Sequence, residues 1–234
     1  MAEGPTPLTI PARSLPSRYR LRSLLSRGLI FDILLADDLT TGEVVAIKSS
    51  RGNEVAAARL AHEARMRLAC DSDGLIRLRA DGSAALEPYQ VLDYVAHCRF
   101  DDLTVPHLPN LARPIALRLL SIASSVHAAG FVHGAINGSH VLITADSEVR
   151  LCSLGAMHPL TLATEHVDAL AVGTLLARCV PMEATTARAS LATSVPREAI
   201  ERDPLLIAIV AALLEPNPGQ RLDTTTAFAL LAGG

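Results

Sequence analysis

The apolar residues of this chain change period once, and that change limits the fold more than any other feature. From Tyr19 to about Tyr94 they fall in short runs that alternate or stay continuously apolar: YRLRSLLS, FDILLAD, EVVAIK, LIRLRADG and YQVLDYV. Runs of this length bounded by turn residues read as strands, with LTTG as the turn between the second and third. One helix interrupts them, Val55 to Ala69, where Ala58, His62, Arg65 and Ala69 mark helical spacing. Beyond the strands the period becomes helical. Residues 113–129 carry Ile115, Leu119, Ile122, Ala123 and Val126, with Gly130 placed as a cap, and 166–180 repeat the pattern. Asp203-Pro204 opens a further helix that Pro216 closes, and a last helix follows Asp223. HVLITADSEVRLCS reads as a hairpin around Ala145-Asp146-Ser147. No strand–helix–strand rhythm is present, so the class is α+β: a small antiparallel sheet with one helix, then a mainly helical half.

Composition narrows the function classes. The 234 residues are half apolar, 19% charged and carry a formal net charge of -3, enough for a buried core and not a disordered composition. Without a dense basic block, no nucleic-acid partner is expected. The run Leu205 to Leu214 is too short to span a bilayer, and the first thirty residues hold no secretory apolar stretch, so no membrane insertion is expected. Cys70, Cys98, Cys152 and Cys179 lie far apart, which reads as reduced thiols in a cytoplasmic protein and not as a zinc site. Residues 1–18 hold four of fourteen prolines and read as an extension preceding a domain over 19–234. Of 21 basic residues only Lys48 is lysine. In so arginine-biased a chain, that position asks for a compact, flexible ammonium that a planar guanidinium does not replace.

The motifs stand in a familiar order. Val45-Ala46-Ile47-Lys48 ends a strand, Glu63 lies in the helix that follows, FVHGAINGSHVLI spans 131–143, VRLCSLGAM spans 149–157, and LLEPNPGQRLDTTTAFALL closes the chain around Arg221. In order and spacing these resemble the eukaryotic-like protein kinases, in the form of a degenerate, bacterial-type pseudokinase. The resemblance covers roughly Tyr19 to the C-terminus and implies a two-lobed fold, with an N-lobe over about 19–94 and a C-lobe over about 95–234. In that family the lysine of VAIK pairs with nucleotide phosphates and with the helix glutamate.

The departures carry as much information as the matches. Ala135 stands where the resemblance places the catalytic aspartate, and Gly134 where it places an arginine. Asn137 replaces the loop lysine, His140 the asparagine that holds a second magnesium, and Ser153, twenty positions after His133, the aspartate of the DFG motif. A neutral hydroxyl is a poor ligand for a hard dication. Loss of a positioned base costs ~10²–10⁴ in rate, and loss of the metal removes several kcal/mol of charge stabilisation besides. Only Ala156 to Glu165 separate Gly155 from the next helix, so the peptide-docking segment of the family is absent, as is the glutamate partner of Arg221. His166 is expected where a buried aspartate would tie that helix to the catalytic loop.

Nucleotide binding is weighed on both sides. Gly28 is the one glycine kept in Ser26-Arg27-Gly28-Leu29-Ile30-Phe31, and Phe31 can fill the phosphate site. On the other side stand Lys48 with Glu63, an apolar sandwich of Ile33, Ala46 and Leu142, and a hinge at Asp93 to Val95 with Leu92 as gatekeeper. The expectation is no cofactor and no magnesium, with ATP or ADP as the alternative ligand. Structural readings stand beside these: Lys48 and Glu63 as an ion pair, His133 as a core histidine, His140 as a solvent-facing loop residue, Ser153 as a strand-end hydroxyl, Thr224 as a helix cap. Arg67 is anomalous, because four residues after Glu63 the family places an apolar side chain. The whole reads as a chain that is not an enzyme but an interaction, scaffolding or regulatory module for a protein partner, an active kinase among the candidates. A nucleotide sensor is the alternative, and a kinase-like fold used for a different transfer ranks last.

Overall fold

The computed structural model describes residues 15–51, 54–103, 108–180 and 203–234. By their contacts the residues divide into two compact units. One holds the chain to Ala69 together with Ile76–Val95; the other holds Cys70–Leu75 and Ala96–Gly234.

The first unit is an antiparallel sheet of five strands, β1 (Tyr19–Arg27), β2 (Phe31–Asp38), β3 (Val44–Ser50), β4 (Leu78–Gly82) and β5 (Tyr89–Asp93), in the order β1-β2-β3-β5-β4. Helix α1 (Glu54–Ala69) follows β3. Alternation sets the faces. Leu34, Ala36, Val45, Ile47 and Val91 join Tyr19 and Leu24 in one buried cluster. Ile33, Ala46 and Lys48 point to the opposite face, because Ile33 pairs with Lys48 and Ala46 with Leu92. Arginines stitch the β1–β2 hairpin: Arg18 grips Asp38 through two nitrogens at 2.7 and 2.5 Å, and Arg20 reaches Asp37. The run expected as one strand over 75–82 is divided. Leu75 bridges to Leu151 in the second unit, and only Leu78–Gly82 enter the sheet.

In the second unit, strands β6 (Cys98–Arg99), β8 (Val141–Ile143) and β9 (Val149–Leu151) form one small sheet, and β7 (Phe131–Val132) pairs with β10 (His158–Pro159). The helices are α2 (Leu108–Ala128), α3 (Glu165–Leu176), α4 (Pro204–Leu213) and α5 (Thr224–Gly233). Gly130 ends α2 at φ +84°, a backbone that favours glycine. Asp203 caps α4 by accepting from the Leu206 amide, and Asp223 caps α5 by accepting from Thr226. Thr224 is therefore not the cap that the sequence suggested. The centre of α2 is fully buried at Ala116, Leu119, Leu120 and Ala123. Among the described residues no helix is long and apolar enough to cross a membrane.

Candidate functional site

Two places hold the chemistry-bearing residues, one in each unit. In the first, β3 ends its buried run at Lys48, 7% exposed, and α1 turns Glu63, 1% exposed, toward it. Lys48 Nζ donates to Glu63 Oε2 at 2.5 Å, and Arg67 Nη2 donates to Glu63 Oε1 at 2.7 Å. Arg67, 8% exposed, also donates to the carbonyl of Ile76. The anomaly at Arg67 thus has a cause. The helical register is as read, Leu68 is 77% exposed, and a guanidinium fills the position four residues after Glu63 because it closes the second carboxylate oxygen. Burial pushes the Glu63 carboxyl up, but the two cations outweigh it and hold the group below its ordinary range. The Phe31 ring lies over Lys48, with Nζ 4.6 Å from its centroid.

The turn before β2 is closed as well. The Gly28 amide donates to the Phe31 carbonyl at 2.8 Å, and the Gly28 carbonyl accepts from Arg51 at 2.9 Å. That amide is the group a phosphate would have to meet. Ile33 and Ala46 share the Lys48 face, and Leu92 is buried beside Ala46 in register. Asp93 ends β5 with its amide on the Arg77 carbonyl and its carboxylate on Arg77 and Arg79. Val95 follows two residues on, and Leu142 belongs to the second unit, in β8.

In the second unit the loop after β7 is organised by one carboxylate. Asp168 on α3 is fully buried and accepts from the amides of His133 at 2.7 Å and Gly134 at 2.9 Å. His127 Nε2 stands 3.1 Å from its Oδ2. Burial alone would raise Asp168, but the His127 hydrogen bond, the electrostatic influence of the nearby His133 and the two amides leave it below its ordinary range. The tether that His166 was expected to replace is therefore present, two residues further along, at Asp168. An acidic residue in the first turn of a largely apolar helix, beside Glu165, was the signal for it, since an aspartate is rarely fully buried without partners. His127 and Thr224 were missed for lack of any local signal.

Gly134 has φ +73°, and a Cβ there would stand 2.7 Å from the Ala156 carbonyl. The short segment after Gly155 passes close to it, through β10 on β7 and a bond from Leu160 N to Gly130 O, before α3 begins. His140 is not the solvent-facing residue the sequence suggested: half-buried, its Nδ1 lies 2.8 Å from the Ala135 carbonyl and 3.0 Å from Asn137 Nδ2. Asn137 Oδ1 accepts from Ser139 N and Oγ. Ser153 sits at left-handed φ 66°, ψ 66° before the turn Leu154–Ala156. With a methyl at Ala135, a hydroxyl at Ser153 and the His140 Nδ1 engaged with the loop backbone, these residues do not fit a magnesium ion. Among the described residues no three His, Cys, Asp or Glu side chains group to hold a metal.

No family model matches the sequence. Individual proteins do. A probable serine/threonine-protein kinase of Streptomyces coelicolor is 25% identical over 154 residues, 61% of this chain and 23% of that protein. The serine/threonine-protein kinase PknL of Mycobacterium tuberculosis is 23% identical over 181 residues, 74% of this chain and 45% of PknL. The chain thus matches less than half the length of these relatives. Their names correct one expectation. The expectation that the chain is not an enzyme is overturned: relatives named as serine/threonine kinases point instead to enzyme activity. The α+β architecture with its antiparallel sheet is compatible with these relatives, and the likeness spans most of the chain. At 23–25% identity over 61–74% of its length, the chain is similar to serine/threonine protein kinases.

Proposed function

We propose that this kinase-like chain works as a regulatory module that engages a protein partner, with an active serine/threonine kinase as the partner class. The observation that carries the proposal is the Glu63 carboxylate held at both oxygens, by Lys48 and by Arg67. In protein kinases the placement of this helix against the strand lysine is the controlled step. Here a second cation on the helix itself closes the pair without any ligand, so α1 keeps one position and presents one outer face. That face carries exposed Val55, Ala58, Arg59, Arg65 and Leu68, apolar positions mixed with arginines of the kind that anchor protein interfaces. A cytoplasmic place of work goes with this reading, supported by the cysteine usage of the sequence.

The test adds the chain to an active serine/threonine kinase in a phosphotransfer assay with magnesium or manganese. The partner's rate is expected to change, and Leu68→Asp with Arg65→Glu is expected to remove the change while leaving thermal stability as it was. An unaltered partner rate, together with transfer by the chain itself that Lys48→Ala abolishes, would replace this reading with a catalytic one. A second reading, ATP or ADP binding without metal, has its own support: Lys48, Ile33 and Ala46 line one sheet face, and Lys48 is the only lysine of the chain.

A further inference from the structure

Inside the second unit a hydroxyl, an imidazole and a carboxylate stand in one line. Thr224 Oγ1, at the first residue of α5, lies 3.2 Å from His127 Nδ1 on α2, and His127 Nε2 lies 3.1 Å from Asp168 Oδ2 on α3. The direction of each bond follows from the groups. An ionised carboxylate only accepts, so His127 Nε2 carries the proton. A neutral imidazole then offers Nδ1 as its acceptor, and the Thr224 hydroxyl must donate to it. From Asp168 the line continues to the amides of His133 and Gly134.

The same three groups activate a nucleophile in hydrolases, but here that use is closed. Thr224 is fully buried, so no substrate reaches its oxygen. The ring is also turned the other way, with Nδ1 to the hydroxyl and Nε2 to the carboxylate. The end of the line that meets functional residues is the loop beginning at His133, which holds Ala135, Asn137 and His140.

We propose that Thr224 is a positioning residue for this loop, acting through His127 and Asp168, and that it couples the last helix of the chain to the loop's backbone. The hydroxyl satisfies Nδ1 and holds the ring so that Nε2–H points at Asp168. Asp168 is thereby kept where both its oxygens meet the loop amides. The inference rests on geometry within one unit and holds whether the loop serves regulation or catalysis.

Amide hydrogen exchange of the full chain, read residue by residue by NMR, tests it. Thr224→Val keeps the shape and removes the donor. It is expected to speed exchange at the His133 and Gly134 amides by roughly 2- to 12-fold, the factor one net hydrogen bond carries, while the amides of α4 keep their rates. Thr224→Ser is expected to restore the slow rates. Unchanged exchange at His133 and Gly134, equal acceleration in α4, or no rescue by serine would overturn the proposal. Should Thr224→Val not fold, the ring nitrogen shifts of His127 in the unaltered chain decide. A protonated Nε2 with Nδ1 accepting a hydrogen bond supports the proposal, and a protonated Nδ1 overturns it.

Discussion

At the scale of single residues, two positions carry tension that can be measured. Glu63 is buried against two cations, and its replacement by glutamine leaves Lys48 and Arg67 facing each other without a carboxylate. Breaking a buried pair in this way costs about 3–5 kcal/mol, so Glu63→Gln is expected to lower the urea midpoint by a corresponding amount at pH 7. The pH dependence has a definite sign. Glu63 and Asp168 titrate lower in the folded chain than in the unfolded one. Their contribution is complete above the ordinary carboxylate range near pH 4 and is lost as pH falls through the folded values. Urea unfolding from pH 7 down to pH 3 should therefore show falling stability, with a shallower fall in Glu63→Gln. Gly134 is the second position. Its φ of +73° and the Ala156 carbonyl 2.7 Å from a Cβ lead us to expect that Gly134→Ala destabilises by roughly 1–3 kcal/mol, read as a loss in denaturant midpoint. The arginine that the kinase resemblance places here would meet the same backbone and the same carbonyl.

At the scale of elements, the helices of the second unit are joined by polar groups at their ends as well as by apolar faces. Arg113, on α2, donates to both oxygens of Asp203, which caps α4, and to the Leu231 carbonyl near the end of α5. One guanidinium thus fastens three helices. Asp203→Ala removes a helix cap, worth ~1 kcal/mol, together with a half-buried ion pair. We expect a combined loss of about 1–2 kcal/mol, which at roughly 2–4 °C per kcal/mol is a thermal midpoint lower by several degrees. Asp223→Ala lacks the ion pair and is expected to lose less, and a scan of both variants separates cap from clamp. Arg221 shows how an element end can be reused. Its Nε donates to the Glu215 carbonyl at 2.9 Å and its Nη2 lies 3.4 Å from that of Pro216. It staples the turn between α4 and α5 where the kinase resemblance would have it pair with a glutamate.

At the scale of the whole molecule, ligand response is the property that divides the readings. A ligand at 100 times its Kd adds about 2.7 kcal/mol, a shift of several degrees for a chain of this length. The regulatory reading expects the midpoint to stay within a degree in ATP or ADP, with magnesium or with EDTA, because the Gly28 amide and Lys48 are both engaged within the chain. A rise of several degrees that Lys48→Ala removes would favour nucleotide binding. The elements themselves were legible in the sequence, since strand alternation, the spacing of Val55–Ala69, the Asp-Pro start of α4 and Gly130 after α2 are local signals fixed by neighbours along the chain. Lys48 and Glu63 were legible for the related reason that strand register and helical register each point one side chain inward. Arg67 was visible only as an anomaly, Asp168 only as an acidic residue on a largely apolar helix, and His127 and Thr224 as working groups were not visible at all. Their roles depend on which helices pack together and on which buried polar atom would otherwise lack a partner, and residues 41 and 97 positions apart carry no mark of that in their own neighbourhoods. Sequence by itself determined the order and kind of the elements and the lysine–glutamate pair; tertiary structure decided which carboxylate holds the loop, because a buried charge is stabilised only by the groups that packing brings to it.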